Sequence, residues 1–138
     1  MKNKVSSCLA ALLLSMLSNQ VISCDIDTVF SGTLELNTTY DKKWHHEKSF
    51  IKKWDKRSHK NIGTIVGEII PIKRSLWLVK DAKDKEIGRI DGDLIFSANN
   101  DLCNKEIIKL EHRTNNKYFV TKNNRFIAEI NGRLPRIY

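Results

Sequence analysis

The residues best equipped for chemistry sit together in Trp44-His45-His46-Glu47, with His59 beyond them in the chain. Imidazole and carboxylate groups are what zinc takes as ligands and what general acid–base catalysis employs. Their spacing argues against a metal site. Adjacent residues of a regular element point apart, and the chain has no His-Glu-x-x-His, His-x-His or Cys-x-x-Cys. Surface histidines in a basic segment account for the cluster. The rival reading is a small secreted enzyme or toxin that uses His45, His46 and His59 on polysaccharide or nucleic acid. Cys103 and His112 could pair as thiol and imidazole, but a structural thiol or a bridge explains Cys103 better. There is no Gly-x-Ser-x-Gly nucleophile turn and no Gly-Lys-Ser/Thr phosphate loop, so no motif calls for a cofactor or a metal.

A second constellation surrounds the first. Between Lys42 and Lys60, basic and aromatic side chains interleave: Lys42, Lys43, Trp44, Lys48, Lys52, Lys53, Trp54, Lys56 and Arg57. Such a stretch can follow phosphates and stack bases, and it suits anionic head groups or acidic glycan equally well. The formal charge of +8 over 138 residues points to anionic neighbours of the same kinds. We take Lys42, Lys43, Trp44, Lys52, Lys53, Trp54 and Arg57 as the candidate anionic-surface residues.

The N-terminus decides which anion is met. Lys2 and Lys4 precede an apolar stretch, Val5 to Leu17, and no acidic residue appears before Asp25. That stretch is shorter than the roughly 20 residues a membrane span needs, and a basic start with a small-residue exit marks an export signal. Val21-Ile22-Ser23-Cys24 resembles a bacterial lipobox. The resemblance implies cleavage before Cys24 and a lipid on its sulfur. Val21 and Ser23 also satisfy the ordinary signal peptidase, which would leave Cys24 free to bridge Cys103. A bridge over so long a loop adds about 4 kcal/mol in the chain-entropy model. The lipid anchor is preferred, because a Cys falls on the one position the lipobox requires. Export also makes nucleic acid a partner the protein would rarely meet.

The elements that position these residues show in a repeat. Ile62-Gly63-Thr64-Ile65-Val66-Gly67-Glu68-Ile69 aligns with segments starting at Ile87 and Ile127, and a degenerate copy starts at Ile107. Asp91-Gly92 and Asn131-Gly132 fall between aliphatic runs and predict hairpin turns, with Val66-Gly67 as a poorer version. Lys83-Asp84, Asn99-Asn100, Asn115-Asn116 and Asn123-Asn124 mark an alternating set of turns. Short β-prone runs lie between them, including Leu76 to Lys80, Leu94 to Ser97, Lys117 to Thr121 and Arg125 to Ile130. Gly63, Gly88 and Ala128 keep one strand position small where a neighbour packs close. About four hairpin units of some 20 residues resemble the four-fold β-flower domains, which implies a hairpin assembly and no particular reaction.

The expected fold is therefore all-β: a meander of short antiparallel hairpins, with a short helix or a strand pair near 41–56. Residues 1–23 read as the signal peptide, 24–60 as an N-terminal strand with the basic segment, and 61–138 as the hairpin-repeat domain. Thr28 to Leu36 alternates as a strand, and the Trp residues are expected to cap the core. The expected function is a non-catalytic binding or structural role in the cell envelope. Its partners would be the membrane through Cys24, anionic lipid or glycan, and a protein partner that the sequence does not name. An inhibitor-type protein that engages its partner through an exposed edge strand is a further alternative.

Overall fold

The structure, a computed structural model, describes residues 25–54, 63–98 and 106–138. One helical turn, α1 (Ile26–Val29), is followed by β1 (Gly32–Asp41), β2 (His46–Lys53), β3 (Thr64–Lys73), β4 (Leu76–Asp81), β5 (Glu86–Asp91), β6 (Leu94–Ser97), β7 (Ile108–Thr114), β8 (Lys117–Lys122) and β9 (Arg125–Asn131). Each strand pairs antiparallel with the next, and the sheet closes into a nine-stranded barrel. A meander with an odd number of strands must close on a parallel pair. That pair is β1 with β9, in the register Gly32↔Ala128 to Glu35↔Asn131.

The chain forms this barrel because its strands alternate. Leu34 and Leu36 of β1, Ile51 of β2, Ile69 of β3, Val79 of β4, Ile90 of β5, Ile95 of β6, Ile108 and Leu110 of β7, Val120 of β8 and Ile130 of β9 all point inward and are buried. Their outward neighbours include Glu35, Lys48, Glu68, Lys80, Arg89, Lys109, Glu111 and Glu129, so the wall suits water. That is the reverse of a transmembrane barrel, whose apolar side faces out. The aliphatic side chains fill the lumen as they do in other narrow barrels. Among the described residues no helix is long and apolar enough to cross a membrane.

The all-β hairpin meander expected from the sequence is what forms. Asn123-Asn124 makes a two-residue loop with both residues at positive φ (52° and 67°), and Gly92 opens the β5–β6 loop at φ +64°. Other details differ. The helix allowed near 41–56 is absent over 41–54, because Glu47, Ser49 and Ile51 turn inward while His46, Lys48, Phe50 and Lys52 turn outward. The helix lies instead at α1, where a strand beginning at Thr28 was expected. Val66-Gly67 makes no turn: β3 runs straight through it, and a Cβ on Gly67 would collide with the carbonyl oxygen of Lys80. Nor does Asn131-Gly132 start a hairpin; Gly132 sends the tail across the barrel mouth at φ +116°. Gly88 behaves as expected, since a Cβ there would strike Ile26 and the carbonyl of Phe96. β1 and β2, expected to belong to an N-terminal segment separate from the hairpin repeat, are staves of the same barrel as β3–β9.

Candidate binding surfaces at the two poles of the barrel

Strand direction sorts every loop to one of two poles. At the bottom pole lie α1, the start of β1, the end of β2 and the β4–β5 and β8–β9 turns. At the top pole lie the β1–β2, β3–β4, β5–β6 and β7–β8 turns and the C-terminal tail.

The bottom pole is stoppered. Ile26, Val29 and Phe30 are buried and join the core cluster. Polar contacts fix this plug. The Lys53 ammonium donates to Ser31 Oγ at 2.6 Å. The Lys122 ammonium reaches Asp27 Oδ2 at 2.7 Å and Glu106 Oε2 at 2.9 Å. Hydrogen bonds to Asp27 and then Glu106 raise the pKa of Lys122, outweighing the effect of burial. Around the rim of this pole stand three exposed apolar side chains, Ile65, Ile107 and Phe126. Phe126 meets Phe119 edge to face at 5.1 Å between centroids.

The top pole is closed by the tail. Above Ser49, β2 no longer pairs with β3, whose register shifts after Pro71, and the tail takes the vacated edge. Glu47 N donates to Arg136 O at 2.8 Å, Tyr138 N donates to His45 O at 3.1 Å, and His46 bridges to Ile137. Trp77 Nε1 donates to Pro135 O at 2.8 Å from inside the mouth.

Glu47 is the centre of this closure. Its carboxylate accepts from Arg133 Nη1 at 2.6 Å, Arg133 Nη2 at 2.7 Å, Arg136 N at 3.0 Å and Tyr138 Oη at 3.0 Å. The Arg133 hydrogen bonds, helped by those from Arg136 and Tyr138, outweigh burial and hold the carboxyl down at about 2. The same pair raises the pKa of Arg133. A carboxylate with all its acceptor sites occupied is a clasp, not a free base.

The anionic-surface residues expected from the sequence do not form one patch. Lys42, Lys43 and Trp44 occupy the exposed β1–β2 turn at the top, while Lys52, Lys53 and Trp54 end β2 at the bottom. An eight-residue strand separates the two groups by roughly 25 Å at about 3.3 Å per residue. Lys53 is committed to α1, and Trp54 donates Nε1 to Glu35 Oε2 at 3.0 Å on the outer wall. Trp44 is exposed and Trp54 lies on the outer wall, so neither caps the core as expected; Trp77, which that expectation did not include, packs against it.

His45 ends the β1–β2 turn and His46 opens β2, and the His46 ring nitrogen is tied to Glu47 O at 2.8 Å. Among the described residues no three His, Cys, Asp or Glu side chains converge as metal ligands. The export signal, Cys24, Cys103, Arg57 and His59 lie outside the described residues. Sequence reasoning placed Glu47 only among the histidines and missed Tyr40, Arg133 and Tyr138, which long-range pairing brings to it at the top. It also missed the exposed Phe126.

These features define a closed β-meander barrel with a packed lumen, an N-terminal plug and a clasped C-terminal tail. No protein-family model, no curated protein and no solved structure matches the chain.

Proposed function

We propose that the protein is an exported, non-catalytic binding module of the cell envelope, tethered by a lipid on Cys24 with its bottom pole toward the membrane. The observation that carries this reading is the position of α1. Asp25, the residue after Cys24, enters the barrel at the bottom pole. A lipid on Cys24 would therefore leave no slack between the bilayer and the plug. Ile65, Ile107 and Phe126 stand at that same pole, and Lys52, Lys83 and Arg125 share it. Apolar side chains with flanking cations are what an anionic head-group surface accommodates. Lys42, Lys43 and Trp44 then face away from the anchoring bilayer. Aliphatic side chains of the described strands pack the lumen, which favours the outer surface for binding.

Fractionation of cells making the full chain tests the tether. The intact chain should pellet with membranes and carry diacylglyceryl mass on Cys24, and Cys24→Ala should be released. A Cys24 that bridges Cys103 instead sinks the tethered reading. The edge-strand alternative finds less support, because the closed barrel pairs β1 on both sides.

A further inference from the structure

The tail and the β1–β2 turn together build an aromatic ledge at the top pole. Tyr40 and Tyr138 meet edge to face at 5.6 Å between centroids. Trp44 is 61% exposed, and the Lys43 ammonium lies 5.1 Å over its ring. The backbone bond from Tyr138 N to His45 O joins the tail to this turn. Lys42 and Arg136 are exposed and stand two residues from Tyr40 and Tyr138, and neither side chain has an acidic partner among the described residues.

An exposed apolar cluster rimmed by unpaired cations marks an interaction surface. Its chemistry narrows the occupant. The three rings are about half exposed or more, so they offer ring surface to something that lies against them. The cations call for negative charge at the same place. A polymer of sugar rings presents flat C–H faces, and one that also bears carboxylates or phosphates supplies the charge. We propose that the ledge of Tyr40, Trp44 and Tyr138, with Lys42, Lys43 and Arg136, binds an anionic polysaccharide. This rests on the reading of the protein as an exported, tethered module, which aims the top pole at the polymers beyond the membrane.

The test uses the full chain extracted in detergent and three defined probes. Alginate carries both sugar rings and carboxylates, dextran carries rings without charge, and poly-L-glutamate carries charge without rings. Alginate should bind and dextran should not, with poly-L-glutamate at least tenfold weaker than alginate. Trp44→Ala, and Lys42→Ala with Lys43→Ala, should each weaken alginate binding about tenfold or more without shifting thermal unfolding, because these side chains are exposed. Equal binding of poly-L-glutamate and alginate, unaltered binding by Trp44→Ala, or no alginate binding overturns the proposal. Cys24→Ala should bind alginate like the unaltered chain, so failure of the tether and failure of the ledge are read separately.

Discussion

The Arg133 guanidinium closes on the Glu47 carboxylate through two parallel hydrogen bonds of 2.6 and 2.7 Å, although the residues lie 86 positions apart in the chain. This fork fastens the C-terminal tail to the start of β2. With the carboxylate almost wholly shielded from solvent, removing Arg133 leaves a buried charge without its partner, whereas removing Glu47 leaves a guanidinium that still reaches water.

Glu47→Gln should destabilise the barrel less than Arg133→Ala, because Arg133 is partly open to water; Arg133→Ala, which strands a buried carboxylate, should cost about 3 kcal/mol. In a domain of this size that lowers the melting temperature by about 10 °C. A double-mutant cycle on the two positions should return a coupling of more than about 1 kcal/mol. Additive losses would show that the fork contributes little.

Stability should also fall in acid through this one carboxyl. Its pKa is about 2 folded against 4.5 for the ordinary group, so the folded state binds the proton more weakly. The contribution is therefore complete above about pH 4.5 and is lost as pH falls toward 2, amounting to about 3 kcal/mol. Chemical denaturation at stepped pH measures it. The Glu47→Gln protein should show a flatter profile over that window, and a parallel profile would place the acid sensitivity elsewhere.

Two glycines should tolerate no methyl group. Gly67→Ala presses on the Lys80 backbone, and Gly88→Ala presses on the Phe96 backbone and on Ile26. Each should cost about 1–3 kcal/mol, the range for overpacking. Gly92→Ala meets open space and suffers only from its φ of +64°, at a cost of about 1 kcal/mol. Thermal melts of the three variants should rank in that order.

The plug should be integral to the barrel. Ile26 is fully buried, so Ile26→Ala should cost about 2–4 kcal/mol through the cavity it leaves. Unfolding should stay a single transition, since α1 packs into the same core as the strands. Hydrogen exchange in which α1 opens independently of β5 would contradict this.

Strand identity was legible because alternation is local: Leu94–Ser97 and the Asn123-Asn124 turn read directly from neighbouring residues. Closure was not, because Gly32↔Ala128 pairing depends on strand count and shear, which no short window encodes. Gly67 misled for a related reason. A glycine beside a β-branched residue resembles a turn, yet here it answers a crowded backbone on β4. The basic segment read as one patch because its residues are contiguous. A strand through its middle carries its two halves to opposite poles. Glu47 looked like a neighbour of two histidines, and only the returning tail reveals it as a clasp.

The orientation of the barrel on its membrane is the claim on which the functional reading depends. Hydroxyl-radical footprinting of the full chain in native membranes, compared with detergent extract, measures it without altering a residue. Phe126 and Ile107 should be protected in membranes and become reactive in detergent, while Trp44 and Tyr138 should react equally in both. Protection of Trp44 with Phe126 left open, or no difference at either pole, would contradict a barrel tethered at its plugged end.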